Sequence, residues 1–533
     1  MGADVIFSPL ALPNLAVKNR IFRSSISGRI DNYDGTGTRA RINFEVKFAR
    51  SGIGAIISSH VPISLRGRIL PNYAFIDRDE RIPFWRAVGE AVHAHDCKYI
   101  LQLSHSGRQQ DIAGIENLHH HRLSSSSKVE QFHGFHPDAM TRAEIAQVID
   151  EFAAGARRTR EAGLDGIELH AGNGYLINQF LSSAINNRED EYGGPLEHRA
   201  RFLLEVIAAV RAAVGKDFFL GVKYSPVDYH DAVTFWEGSG NTLAEGVQVA
   251  RWIEAAGADA IHVSSGSMFP HPRNPPGDFP LDVAARTYPI LISEGTHTLR
   301  NYFLFRYKLL RPIARYLWHR AQPDRLEGIN IEDSRAVKAA VSIPVLVTGG
   351  FQTASVVRQV LTDGTADGVT IARPLIANPD LLQQWAAGRD EPERPCTYCN
   401  KCLINVVEHP LGCYEESRYP DYDTMIREVM SIFEDEEGIP PPSHFGLPLP
   451  APLPAPAPAP APASSAQSAP PSPASSAAPS DADPDTAVDP DPSGIIPPSL
   501  RQQAAAPEPA APQSSATGPH GSGPLVAAPR TPN

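Results

Sequence analysis

Between Arg20 and Ala387 short apolar runs recur, each followed by a longer amphipathic stretch. The runs are mostly rich in Ile and Val and apolar on both faces, as strands buried between two layers must be. Eight of them start near Ile21, Ala55, Lys98, Gly166, Phe218, Ala260, Val345 and Gly368. This alternation predicts parallel strands joined by helices, and eight repeats favour a closed (β/α)8 TIM barrel, an α/β fold, over an open sheet. Helices are predicted over Thr141 to Ala162 and Glu197 to Val214. Thr141 and Glu144 have the spacing of a capping box, and Gly163 that of a stop.

One interval breaks the rhythm. About 80 residues separate the sixth strand from Ile343, where a barrel needs a few tens, so an insertion is placed over 266–330. Within it, 299–325 mixes aromatic and basic residues, among them Tyr302, Phe305, Arg311, Tyr316, Trp318 and Arg320. One reading is a helix packed over the barrel mouth, its arginine stems covering apolar surface. The other is a peripheral membrane or protein contact. The apolar stripe is short and broken at Pro312, which favours the first.

The chain has 533 residues, more than one ordinary core absorbs, and its 50 prolines crowd toward the C-terminus. Beyond Gly438 the sequence is mostly Pro, Ala and Ser, including the alternating run Pro454 to Ala463. Such a stretch cannot repay the entropy of ordering and is expected to be a disordered tail. The expected organisation is a barrel over 1–390, a cysteine-rich extension over 391–437 and the tail over 438–533. A net charge of -12 argues against nucleic acid as a partner. No apolar segment is long enough to span a bilayer and no secretory pattern opens the chain. Four of the five cysteines lie together, which does not suit a disulfide framework, so a reducing cytoplasm is expected.

In a barrel of this kind chemistry gathers at the C-terminal ends of the strands. Nearly every strand end here is polar, Gly-bearing or ionisable: Arg23-Ser24-Ser25, Ser58-Ser59-His60, Gln102 to Arg108, His170 to Tyr175, Lys223, Gly349-Gly350 and Ala372-Arg373. Gly349 and Gly350 let backbone N–H groups approach an anion, the next helix adds its positive N-terminus, and Arg373 can grip phosphate in bidentate fashion. His170 and Asn173 form a pair of neutral donors for a carbonyl or phenolate oxygen, with the Tyr175 phenol beside them as a proton source. The bland alternatives are a Gly-rich turn with a surface arginine, and a buried histidine bonded to backbone.

Several ordered segments resemble the old yellow enzyme family of NAD(P)H:flavin oxidoreductases. They are Ile6 to Leu10, Val17 to Ile21, Gln102 to Arg108, Gly166 through His170, Asn173 and Tyr175 to Leu181, and Asn187-Arg188 with Asp190, Tyr192, Gly193, Gly194 and Arg199. The resemblance implies FMN across the barrel mouth. Ser24 and Ser25 would meet the flavin ring, with Ser59 close to it and Gln102 on the pyrimidine part. Lys223 would supply positive charge near N1 and O2, while Gly349, Gly350, Ala372 and Arg373 would hold the phosphate. It also implies that NAD(P)H reduces the flavin, that His170 and Asn173 bind the carbonyl of an enone- or enoate-type substrate, and that Tyr175 donates the proton. A homo-oligomer is also expected. Lys223 stands where many members carry Arg, and Ser27 where some carry Cys or Thr, so the flavin potential is expected to differ.

Cys396, Cys399 and Cys402 follow a C-x2-C-x2-C spacing, with Cys413 beyond. Four thiolates at such spacing suit an iron–sulfur cluster or zinc. The segment resembles the [4Fe–4S]-binding stretch after the barrel in trimethylamine dehydrogenase and dienoyl-CoA reductase relatives. An ene reductase is therefore the leading expectation. A cluster-assisted dienoyl-CoA reductase, or an amine dehydrogenase or demethylase, is the second, and an idle barrel acting as a scaffold through its Pro-rich tail is the third.

Overall fold

The computed structural model describes residues 4–434 except 27, 111–121 and 233–235; Ser27 and the Pro-rich tail therefore lie outside the described residues. Eight parallel strands close into a barrel in chain order. They are β1 (Ile21–Arg23), β2 (Ala55–Pro62), β3 (Lys98–Ser104), β4 (Gly166–Ala171), β5 (Phe219–Tyr224), β6 (Ala260–Val263), β7 (Val345–Thr348) and β8 (Gly368–Ile371). β8 pairs back onto β1, with Thr370 opposite Phe22. All eight expected strands are present, within one residue of their expected starts.

The strands are apolar on both faces because each face has its own core. Phe22, Ala55, Ile57, Ile100, Phe219 and Leu346 form one cluster with Leu10, Leu12, Leu15 and Val17. Those last four belong to an antiparallel hairpin, Leu10–Leu12 against Leu15–Val17, that buries every second residue there. The alternate residues, such as Ile21, Ile56, Leu101 and Ile167, face the helices.

Around the barrel run α1 (Arg39–Ala49), α2 (Ile82–His93), α3 (Arg142–Glu161), α4 (Leu196–Val214) and α5 (Leu243–Ala255). At the start of α3, Thr141 Oγ1 accepts from the Glu144 N–H, and the Glu144 carboxylate accepts from the Thr141 N–H at 2.8 Å. The aromatic and basic stretch of the insertion forms two helices rather than one, α6 (Thr298–Arg306) and α7 (Arg311–Arg320). Pro312 sits in the first turn of α7, where no N–H is needed, so it starts a helix instead of kinking one. The barrel is completed by α8 (Ile331–Lys338) before β7 and α9 (Ala354–Thr362) after it.

Between β1 and α1 lies a buried ionic group. Arg23 pairs with Glu45, and Arg41 bonds Asp31 at 2.6 Å and Glu45 at 3.4 Å. The Arg23 guanidinium also lies over the Phe44 and Phe48 rings. This group ties the end of β1, and hence Ser24 and Ser25, to the helix layer. Glu45 serves two arginines, so removing it strands the buried Arg23 cation and leaves Arg41 with Asp31 alone. Glu45→Ala is expected to cost about 3–5 kcal/mol in urea unfolding; a loss below about 1 kcal/mol would show that the group contributes no net pairing.

Candidate functional site

One cavity opens at the C-terminal end of the barrel. Its wall includes Ser24, Ser25, His60, Gln102, His170, Asn173, Tyr175, Lys223, Gly349, Gly350, Ala372 and Arg373. Eleven of the twelve expected catalytic and flavin-binding residues are thereby gathered from six of the eight strand ends. Ser59 is the exception. The β2–β3 ladder pairs Ile57 with Ile100 but His60 with Gln102, so β2 carries one extra residue at that point. Such a bulge reverses which residues face inward beyond it. His60 therefore takes the place on the cavity wall that an unbroken alternation would give Ser59.

Strand register sets the inner layer. His170 of β4 and His262 of β6 both stand opposite Lys223 of β5. A polar chain crosses below: Ser25 Oγ donates to Gln102 Oε1 at 2.7 Å, and Gln102 Nε2 to Glu168 Oε1 at 2.7 Å. His262 Nδ1 lies 2.8 Å from Glu168 Oε2, and its Nε2 lies 2.9 Å from Thr370 Oγ1. Burial pushes the Glu168 carboxyl up, but His262, Lys223 and Gln102 outweigh it and hold the group below the ordinary carboxylate range. Burial keeps His262 neutral, which fits a ring donating from Nδ1 to Glu168 and accepting at Nε2 from Thr370. Burial also lowers the Lys223 ammonium, with Glu168 opposing.

After β4 the chain turns sharply through Asn173 (φ 58°) and Gly174 (φ 77°) into a short helix, Leu176–Leu181. A side chain at Gly174 would strike the Ser267 carbonyl at 2.4 Å. This turn brings Tyr175 edge-on to His170, with ring centroids 4.6 Å apart, and to His60 at 5.2 Å. Burial drives His170 well below the ordinary histidine value and His60 to about 4, so both rings are neutral near pH 7. It pushes the Tyr175 phenol upward, so the phenol keeps its proton. His170 Nδ1 is buried without a hydrogen-bond partner among the described residues. Asn173 Nδ2 is engaged, donating to Ser264 Oγ at 3.0 Å and the Ser265 carbonyl at 2.8 Å.

At the opposite end of the cavity, Gly350 adopts φ 75°, and a side chain there would meet the Leu326 carbonyl at 2.9 Å. Only glycine keeps this backbone close to a ligand. The expected help from the following helix is absent. The N–H groups of Gln352 and Thr353 are taken by Glu327, at 2.7 and 2.8 Å, and that of Ser355 by Asp390 at 2.6 Å. Carboxylates already occupy the N-terminus of α9, leaving an anion to the Gly349–Gly350 and Ala372–Arg373 segments of the wall. Arg373 is held by the carbonyl of Pro276 and by Asn400, and it lies over the Tyr398 ring. The Tyr398 hydroxyl in turn donates to the Gly350 carbonyl at 2.5 Å.

Tyr398 and Asn400 belong to the cysteine-rich extension, and Arg273 on the cavity wall belongs to the insertion. Sequence reasoning assigned none of them, since nothing local links them to the barrel. Including Arg273, the wall carries three cations and no Asp or Glu among the described residues. Serine hydroxyls, three cations, an unpartnered histidine nitrogen and a glycine cradle together fit an anionic, polar, ring-bearing ligand such as FMN.

The four clustered cysteines line one small cavity with Arg373 and Arg418. Arg418 Nη1 lies 3.1 Å from Cys413 Sγ. Among the described residues no three His, Cys, Asp or Glu side chains converge closely enough to hold a metal ion.

The model of the NADH:flavin oxidoreductase / NADH oxidase family matches residues 5–278, and that of dihydrouridine synthase matches residues 314–438. A NADH oxidase of Thermoanaerobacter brockii is 31% identical over 427 residues, covering 77% of this chain and 57% of that protein. A NADPH dehydrogenase of a Geobacillus species is 30% identical over 383 residues, covering 70% of this chain and 92% of the relative. The chain spans about half the length of several of the curated relatives it matches. A solved 2-naphthoyl-CoA reductase in complex with 2-naphthoyl-CoA shares the fold, with a TM-score of 0.61 at 22% identity over 77% of this chain and 56% of that one.

Neutral buried histidines set a pH dependence. Burial pulls His60 and His271 to about 4 and His105 to about 3. The unfolded chain takes up protons below about pH 6.5 that the folded chain refuses, so stability falls as pH falls. The urea midpoint is expected to decline from about pH 6.5 to about pH 5, above the carboxylate range. A flat midpoint over that window would contradict neutral burial.

Proposed function

Since the chain belongs to the NADH:flavin oxidoreductase / NADH oxidase family, we propose that it is an FMN-dependent NAD(P)H oxidoreductase that reduces the C=C bond of an α,β-unsaturated carbonyl compound. The observation that carries this reading is the composition of one cavity: three cations and no carboxylate, with a neutral His–Tyr pair at its inner end. FMN would supply the hydride chemistry between NAD(P)H and the β-carbon of the alkene. Gln102, Ser24 and Ser25 would hold its ring, Lys223 would place positive charge beside it, and Gly349, Gly350, Ala372 and Arg373 would hold its phosphate.

The chain's own residues act on the substrate. His170, neutral and unpartnered at Nδ1, donates to the carbonyl oxygen. Asn173 supplies the second donor by exchanging its Ser264 partner for the same oxygen. Both bonds strengthen as negative charge builds on that oxygen, so they lower the barrier rather than merely tighten binding. The Tyr175 phenol, kept protonated by burial, delivers the proton to the α-carbon. Neutral donors favour a carbonyl acceptor over a cationic amine, which would call for an aromatic cage or a carboxylate.

The C-x2-C-x2-C spacing and the one small cavity that the four cysteines line support a metal centre there, with an iron–sulfur cluster preferred over zinc on the spacing. Among the described residues no three of these side chains converge closely enough to hold a metal ion, which favours neither of the two. Cys396, Cys399, Cys402 and Cys413 would hold the cluster, with Arg373 and Arg418 offsetting its negative charge.

Tyr175→Phe is expected to slow reoxidation of the reduced protein by cyclohexenone by about 10²–10⁴-fold while leaving reduction by NADPH unchanged. Stopped-flow absorbance separates the two halves. Equal slowing of both, or of neither, would contradict the proton-donor role. Protein purified without air is expected to contain iron and acid-labile sulfide in equal amounts, lost in Cys402→Ser. Zinc without sulfide would reverse the preference.

A further inference from the structure

A second cavity lies outside the flavin site, under the insertion. Its wall is formed by Phe132, Phe279, Leu304, Phe305, Leu317 and Trp318, and its volume is about 320 Å³. An engineered apolar cavity of about 150 Å³ already takes up benzene. At about 30 Å³ per heavy atom, the liquid share of a water molecule, this one admits a chain of about ten.

The wall is built rather than left over. Phe279 stands 5.3 Å from Phe305 and 5.0 Å from Trp318, ring centre to ring centre. Trp318 Nε1 donates to the Gly277 carbonyl at 2.9 Å, which turns the indole's polar edge away and fixes the ring. The polar lining residues are committed elsewhere: Asn301 Nδ2 to the Phe132 carbonyl and the Tyr288 hydroxyl, Gln131 Nε2 to Glu237. The charged groups on the lining are Arg300 and Arg320, both exposed.

Charge singles out the same place. Between Glu294 and Asp324 there are five arginines and one lysine and no acidic residue, in a chain whose net charge is -12. Leu299, Phe303, Tyr307, Leu309, Ile313, Tyr316 and Leu317 are exposed on α6, α7 and their connection, with Trp236 exposed on the lining beside them. An apolar cavity with a cationic rim is complementary to a single-chain amphiphile whose head is anionic.

The two cavities share a partition. Phe269, Arg273, Asn274, Pro275 and Pro276 line the flavin cavity, while Pro272 and Phe279 of the same loop line the second one. We propose that the insertion cavity binds the apolar chain of a medium-length carboxylate, with Arg300 and Arg320 at its head. The occupant lies behind the loop that walls the reaction cavity and outside the flavin site.

The test is calorimetric titration of the full-length, flavin-loaded protein with decanoate, decan-1-ol and decyltrimethylammonium. Decanoate is expected to bind one site per chain, about tenfold or more tighter than the cation, with the alcohol between. Ala314→Trp, which fills the cavity, and Leu317→Trp, at its exposed edge, are each expected to weaken decanoate about tenfold with the visible spectrum unchanged. Arg300→Glu with Arg320→Glu is expected to abolish the preference for the anion. Failure of decanoate to saturate, equal affinity for anion and cation, or full affinity in both tryptophan variants would overturn the proposal. Sedimentation with phosphatidylglycerol vesicles without binding of free decanoate would also overturn it and assign the basic face to a membrane surface.

Discussion

A buried carboxylate organises the barrel mouth. Glu168 sits on β4 with no access to water, and its charge is tolerable only because Gln102, His262 and Lys223 converge on it from β3, β6 and β5. Each of those groups then has its free side directed by that bond. Gln102 presents its carbonyl to Ser25, His262 is fixed as the Nδ1–H tautomer by the Glu168 carboxylate and turns Nε2 to Thr370, and Lys223 keeps a positive charge that burial alone would weaken. An apolar residue at position 168 would leave the Gln102 Nε2 and His262 Nδ1 donors unpaired in the barrel interior, each at a cost of about 1–3 kcal/mol, and would remove the charge that opposes the burial of Lys223.

Above this layer the chemistry is made by exclusion of water. His60, His170 and Tyr175 pack edge to face, and burial holds all three neutral. A neutral imidazole donates to a carbonyl without the desolvation cost of a cation, and a phenol that never ionises keeps its proton for transfer. The positive charge of the cavity comes from separate residues, Lys223, Arg273 and Arg373. Arg373 faces both the flavin cavity and the cysteine cavity, so a cluster and a flavin phosphate in this chain would share one cation.

The strands could be read directly from the chain because each is apolar on both faces, and the α3 capping box because its partners are three residues apart. The site residues at β1, β3, β4, β5, β7 and β8 could be located because strand ends in a closed barrel must converge. Ser59 is off the cavity wall because a one-residue bulge inverts alternation without changing composition. The positive end of α9 misled for a different reason: Glu327 and Asp390, which neutralise it, lie 25 and 35 positions away from the N–H groups they accept from. Arg273 reaches the cavity, and Tyr398 and Asn400 reach its Arg373, from segments whose placement no periodicity records. The histidine at position 60 was visible at a strand end, and a register count against Gln102 would have been needed to aim it inward.

The central claim is that the cavity of three cations is a flavin site open to a nicotinamide. The most direct measurement is the visible absorption spectrum of the protein purified without air, before and after addition of NADPH or NADH. The account predicts flavin bands that bleach on addition, over a broad shoulder that remains from the cysteine site. A colourless protein that takes up no added FMN would contradict it.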